Sequence, residues 1–183
     1  MTVRNVDQVI LVDSADREIG FAPKPDAHDG RGMLHRAFSL FVFNPAGELL
    51  VQRRADEKRL WPGYWSNSCC SHPRRGETMD SAIHRRLAEE LAITAHLEFQ
   101  FKFQYWAQDT RGSEHELCWV YAGCSAERPR PNRHEIAAWS YLSPRAIDIE
   151  MAYMPQIVTP WFRMEWARFT ESVPGRLAPR RCG

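Results

Sequence analysis

The chain has 183 residues, with 24 basic and 23 acidic side chains, a formal net charge of +1, and 44% apolar and 26% charged content. That balance fits one soluble globular domain long enough to bury its own core, and it excludes a global field that would draw the chain to nucleic acid or an acidic membrane surface. Five cysteines, two of them adjacent at Cys69 and Cys70, suit neither a disulfide framework nor a zinc knuckle, so a reducing, cytoplasmic setting with at least one free thiol is expected.

In chain order, Val9–Asp13 reads as a short strand whose apolar run is too short for a signal or spanning segment. Residues Phe21–Gly32 hold two prolines and two glycines and read as loop. Ala37–Phe43 is a strongly apolar strand, and a turn at Asn44–Gly47 predicts that Glu48–Arg53 pairs back as a hairpin. Ala55–Ser68 reads as loop. Thr78–Ala92 is the clearest helix, because Met79, Ile83, Leu87 and Leu91 recur at helical spacing. Phe99–Trp106 and Glu116–Gly123 read as strands around a turn at Asp109–Gly112, Ala137–Leu142 as a short strand, and Val158–Phe169 as an amphipathic helix. Strands alternating with two helices imply an α/β fold with a mixed sheet covered on its faces. One domain spans 1–183, with residues 174–183 as a mobile tail.

Several side chains have the chemistry to form a site. His28, His35 and His72 are each, taken alone, ordinary polar residues; taken together they suit zinc, manganese or iron. On a strand, Glu114 and Glu116 face one way and His115 the other. Two parallel carboxylates repel unless a cation or proton lies between them, although a solvated hairpin edge is the simpler reading. Stepping about 100° per residue along the helix puts Glu90 inside the apolar stripe and Glu89 on the opposite face. An inward glutamate needs a partner, either Arg86 one turn back or a metal. Arg53, Arg54, Lys58 and Arg59 form a basic run that reads as a solvated loop or, with Lys24 and Arg86, as a diphosphate clamp. Cys70 alone reads as an inert buried thiol, although proximity to His72 favours a thiolate.

The stretch Trp61-Pro-Gly-Tyr-Trp65-Ser-Asn-Ser-Cys-Cys70-Ser-His72-Pro, the preceding Arg53-Arg54-Ala55, the spacing of Glu114, Glu116 and Cys118, and Pro160-Trp161 together resemble type I isopentenyl-diphosphate isomerase, within the Nudix superfamily. The resemblance implies a Nudix-type mixed sheet sandwiched between helices, with an N-terminal extension that contributes metal ligands. It assigns catalysis to Cys70, Glu116 and Tyr105. It implies a metal site of His28, His35, His72, Glu114 and Glu116, taking Mn2+, Zn2+ or Mg2+. It implies a diphosphate clamp of Lys24, Arg54, Lys58 and Arg86, with Mg2+ held through Glu90, and a hydrocarbon wall that includes Trp161. Arg86 stands where superfamily hydrolases keep a glutamate, which argues against hydrolysis. Ser71 and Ala92 stand at glycine positions, and a positive φ at Ser71 would carry strain.

The implied partner is a small allylic or homoallylic diphosphate, with no nucleic acid and no membrane. A homodimer is allowed, since the seven tryptophans would serve a core or an interface equally. The implied reaction moves a double bond through a tertiary carbocation, with Glu116 on the protonation side and Cys70, as thiolate, the base. The rivals are a Nudix pyrophosphohydrolase, which has no use for a catalytic cysteine, and a metal- or thiol-sensing protein, which has no use for the clamp.

Overall fold

A computed structural model describes residues 8–172; the tail expected at 174–183 lies outside the described residues. The order is β1 (Gln8–Val12), β2 (Glu18–Pro23), α1 (Lys24–Ala27), β3 (His35–Phe43), β4 (Leu49–Arg54), β5 (Trp65–Ser66), β6 (Cys69–Ser71), α2 (Met79–Leu91), β7 (His96–Asp109), β8 (Gly112–Cys124), β9 (Ile136–Leu142), α3 (Pro144–Tyr153), a 3-10 turn (Pro155–Ile157) and α4 (Pro160–Ser172).

Strand β3 is the centre. One edge pairs in parallel with β8 along its whole length, from His35 opposite Glu116 to Phe43 opposite Cys124. The other edge is shared by β1 at His35, β6 at Phe38–Leu40 and β4 at Phe43. Alternation along β3 explains its unbroken apolar run: both faces are covered. Phe38, Leu40 and Val42 pack with Ile83, Leu87 and Leu91 of α2. Ala37 and Phe41 pack with Trp161, Phe162, Trp166 and Phe169 of α4. The sheet therefore lies between helices, as expected.

The structure corrects four local readings. The stretch Phe21–Gly32 is not all loop: β2 runs to Pro23 by pairing with β1, and Lys24–Ala27 adds one helical turn with Pro25 near its start. The predicted β3–β4 hairpin closes with a single pair, Phe43 opposite Leu49; β4 then pairs with β9 from Leu49 to Arg54. The two short strands β5 and β6 interrupt the expected loop. Helix α3 went unpredicted, although Ser143 caps it by accepting from the Ala146 amide and Pro144 opens it, which is a standard start signal.

Helix α2 matches its predicted span within one residue at each end, from a Thr78 cap that accepts from the Ser81 amide. Its C-terminal cap, Ala92, has φ 53° and ψ 41°. The left-handed strain expected at Ser71 sits here instead, because Ser71 is extended inside β6. Cys69, Cys70 and Cys118 are free thiols, which meets the expectation of at least one. Among the described residues no helix is long and apolar enough to cross a membrane.

Candidate active site

The site forms on the β3 face that carries His35, Ala37 and Ser39. Register puts Glu116 beside His35 and Cys70 beside Ser39, on opposite edges of β3. Cross-strand neighbours point the same way, so both side chains face the α4 side of the sheet. Between His35 and Ser39 on that face lies Ala37, whose methyl leaves room.

The three histidines arrive from three elements: His28 at the end of α1, His35 at the start of β3, and His72 just after β6. Gly112 makes the first placement work, because a Cβ there would collide with the His28 carbonyl, which accepts from the Ser113 amide at 3.0 Å. The imidazole centroids lie 4.7–5.3 Å apart. His115 faces away, 3.2 Å from the Gln104 side chain, as strand alternation requires.

Hydrogen bonds fix two of the ring tautomers. His28 Nδ1 donates to the Lys24 carbonyl at 2.6 Å, and His35 Nδ1 donates to the Met33 carbonyl at 2.7 Å. A ring nitrogen bonded to a carbonyl carries the hydrogen, so each Nε2 is a bare lone pair. Those two Nε2 atoms and Glu114 Oε2 are buried without hydrogen-bond partners. Even so, His28 Nε2 lies 2.9 Å from Glu114 Oε2. Glu116 Oε1 lies 3.0 Å from His72 Nε2 and 3.7 Å from His35 Nε2. Facing lone pairs in a dry site require a cation. Ligand atoms from all five residues lie within 4.8 Å of one another, and the nitrogen and oxygen donor set fits a divalent ion.

Charge states follow from the same crowding. Burial, then the neighbouring His28, lowers His35 to about 4. Burial and nearby Lys24 hold His72 well below its usual range. Both imidazoles are thus neutral, the form that ligates. Burial pushes Glu114 up, but the contact with His28 and the neighbouring His28, His35 and Lys24 groups outweigh it and hold Glu114 at about 2. Glu116 goes the other way, raised by burial and by Glu114; a bound cation would reverse that. Tyr105 on β7 donates its hydroxyl to Glu116 Oε2 at 2.7 Å.

The clamp residues also converge. Arg54 is tied to the Leu60 carbonyl at 2.8 Å and lies 5.2 Å from the Trp161 ring. Glu90 is buried at 3% exposure and pairs with Arg86, so the inward position read from the helical stripe holds, and Arg86 is its partner. Arg86 also donates to Glu135 at 3.0 Å, and Lys58 pairs with the same carboxylate. Burial lowers Lys58 to about 8, with Arg54, Lys24 and Arg86 adding to the effect. Lys24 is an exposed residue, yet burial of its ammonium lowers its pKa, with Arg86 and Arg54 adding to the effect and Glu114 and Glu90 opposing it. Arg86 also pairs with Glu89 at 3.0 Å; the guanidinium and ammonium groups gathered here are the donors that a diphosphate takes.

Cys70 sits in a different environment. Its thiol donates to Asn67 Oδ1 at 2.7 Å and accepts from Trp161 Nε1 at 3.1 Å. Burial raises its pKa well above the usual thiol range, and the charges of Glu165 and Glu116 add to this. The electropositive, thiolate-favouring setting expected from His72 is corrected: the sulfur keeps its proton. Trp161 stands edge-on to Trp61 at 5.2 Å and 6.5 Å from the Tyr105 ring. Trp61 itself holds φ 46°, a strained value for a tryptophan.

Four residues of this site escaped the sequence reading: Ser39, Asn67, Glu135 and Glu165. Glu165 left a usable signal. It falls four residues after Trp161 and one before Trp166, inside the apolar stripe of α4. Glu135 left none, since it reaches Arg86 from 49 positions away.

Comparison with known proteins follows the same line. Residues 33–162 match the NUDIX domain family. The "Isopentenyl-diphosphate Delta-isomerase 1" of Photorhabdus laumondii is 42% identical over 165 residues, covering 88% of this chain and 94% of that one. The "Isopentenyl-diphosphate Delta-isomerase" of Halorhodospira halophila is 42% identical over 161 residues, covering 86% and 92%. Among solved structures, a Deinococcus radiodurans protein superposes with a TM-score of 0.73 at 22% identity, covering 88% of this chain and 98% of that one. A MutT protein of Methanosarcina mazei gives 0.61 at 18%, covering 75% and 94%; these two bear on the fold alone.

Proposed function

Because the chain belongs to the NUDIX domain family and, within it, to the isopentenyl-diphosphate Delta-isomerases, we propose that Cys70 and Glu116 move the two protons of its reaction. The activity is the interconversion of isopentenyl and dimethylallyl diphosphate. One observation carries the residue assignment: Glu116 and Cys70 flank β3 from opposite edges, face the same side, and have only Ala37 between their partners His35 and Ser39.

Lys24, Arg54, Lys58 and Arg86 bind the diphosphate and so fix which carbons lie near the pair. Tyr105 and Trp161 line the hydrocarbon. One group of the pair gives a proton to the alkene, a tertiary cation forms, and the other group removes a proton from the carbon on the far side. When the direction reverses, the two exchange roles. An alkene is a very weak base, so the burial of the site, which excludes water, is part of the chemistry. The Trp161 face stabilises the cation by about 1–2 kcal/mol. A divalent ion, manganese, zinc or magnesium, held by His28, His35, His72, Glu114 and Glu116 would supply a positive charge that keeps Glu116 ionised; Glu90 would hold magnesium arriving with the diphosphate. A charged diphosphate does not cross membranes unaided, which favours action in the cytoplasm.

The test is incubation with isopentenyl diphosphate and divalent metal in deuterated water. Deuterium-bearing dimethylallyl diphosphate is expected, and loss of it in Cys70→Ala with an intact fold supports the pair. No isomer at any metal loading, or undiminished turnover by Cys70→Ala, overturns the assignment.

A further inference from the structure

Helix α4 buries a carboxyl that the reaction above does not use. Glu165 has 0% exposure. Its Oε1 accepts from the Ser39 hydroxyl at 2.7 Å, and its Oε2 has no partner. A fully buried glutamate whose recorded partners are a hydroxyl and a thiol is costly unless it serves a purpose. The Ser39 oxygen lies 3.4 Å from Cys70 Sγ and 3.5 Å from Cys118 Sγ.

A serine hydroxyl has one hydrogen to give. Here Glu165 takes it, so Ser39 turns only lone pairs toward the Cys70 sulfur. The sulfur's other contacts are then settled in turn. Its own hydrogen goes to Asn67 Oδ1, which also accepts from Ser66 at 3.0 Å; Ser66, 3.9 Å from the sulfur, has thus given its hydrogen away, and among the described residues the sulfur accepts from Trp161 alone. Without the Glu165 oxygen, the Ser39 hydrogen is free to swing onto the sulfur, where it would occupy a lone pair that proton transfer needs.

We infer that Glu165 is a positioning residue for the isomerase reaction, acting on Cys70 by fixing the direction of the Ser39 hydroxyl. The role asks for an acceptor oxygen rather than a charge. Consistent with that, burial pushes the Glu165 carboxyl up to about 8 against the lowering bonds from Ser39 and Cys118, so near neutral pH it is mostly a neutral acid, which a glutamine imitates.

The inference rests on Cys70 as a proton-transfer group, and the experiment keeps the two apart. Steady-state kinetics with isopentenyl diphosphate would compare Glu165→Leu, Glu165→Gln, Ser39→Ala and the Ser39→Ala/Glu165→Leu double variant, with melting temperatures alongside. Losing one directed hydrogen bond should lower kcat about tenfold in Glu165→Leu, with KM unchanged within twofold. Glu165→Gln should restore kcat. Ser39→Ala leaves no hydrogen to misdirect, so it should lose less than Glu165→Leu, and the double variant should recover to the level of Ser39→Ala, since among the described residues the hydrogen-bonded path from Glu165 to the sulfur runs through Ser39. A merely structural role would lower melting temperature and give losses that multiply. Full kcat in Glu165→Leu, multiplied losses, or a Glu165→Gln as slow as Glu165→Leu would each overturn the inference. If Glu165→Leu does not fold, a tenfold or greater loss of kcat in Ser39→Ala overturns it alone, since no hydroxyl is then left to misdirect. An inactive unaltered protein, or an active Cys70→Ala, would instead sink the assignment of Cys70.

Discussion

The two ends of the proton-transfer pair lie on one face of one strand, yet they are built from opposite materials. Around Glu116 the neighbours are metal-ligating groups, three imidazoles and a second carboxylate, whose crowded lone pairs a cation would reconcile. Around Cys70 they are neutral donors and acceptors from Asn67, Ser66, Ser39 and Trp161. The lesson concerns control. The state of Glu116 depends on something the chain must bind, whereas the state of Cys70 is set by hydrogen bonds the chain supplies itself.

That contrast makes ordered predictions. Removing the sulfur should have the largest effect: Cys70→Ala lowers kcat by about 10³-fold or more, in line with the loss of a general acid or base, while metal content by elemental analysis stays at the wild-type level. Glu114→Gln should act on the other end, cutting metal affinity about 10–100-fold and leaving the Cys70 network intact; activity should return at high metal concentration. If Cys70→Ala also loses metal, the two ends are not separate.

Acid and alkali should tell the ends apart as well. His35 is at about 4 in the fold against 6.5 when unfolded, so the unfolded chain binds more protons in that window. Glu114, at about 2 against 4.5, extends the trend. In chelator-treated protein the contribution of these groups is therefore present above pH 6.5 and lost as pH falls. Glu165 has the reverse sign: raised from 4.5 to about 8, it contributes fully below 4.5 and loses that contribution as pH rises to about 8. Melting temperatures of the metal-free protein should fall on the acid side, and Glu165→Gln should flatten the alkaline side.

Two smaller effects complete the series. Trp161→Phe keeps an aromatic face, though a smaller one, but removes the N–H shared by Cys70 and Ser66, and kcat should fall about five- to tenfold with little change in KM. Ala92→Gly touches neither end. It relieves the left-handed φ of 53° and should raise stability by about 1 kcal/mol, read by denaturant titration, with activity unchanged.

Local periodicity carried much of this in advance. The helical repeat of α2 put Glu90 indoors, and strand alternation put Glu114 and Glu116 together with His115 away from them. The span of α2 and the sandwich of sheet between helices were also legible, because each follows from which residues share a face. Cys70 was different: its residue type and neighbours read as an inert thiol, and only the resemblance of Trp61–Pro73 to a known family singled it out.

Tertiary structure decided what no local pattern encodes. Parallel pairing of β3 with β8 brings His35 beside Glu116, although 81 positions separate them. Glu135 reaches the clamp and Glu165 reaches Ser39 from 126 positions away. Register and long-range approach are settled by how whole faces pack, so they leave little trace in neighbouring residues. The protonation of Cys70 belongs here too: a thiol's charge is set by burial and by what surrounds the sulfur, and in this chain those surroundings come from β3, from β5 and the Asn67 turn that follows it, and from α4.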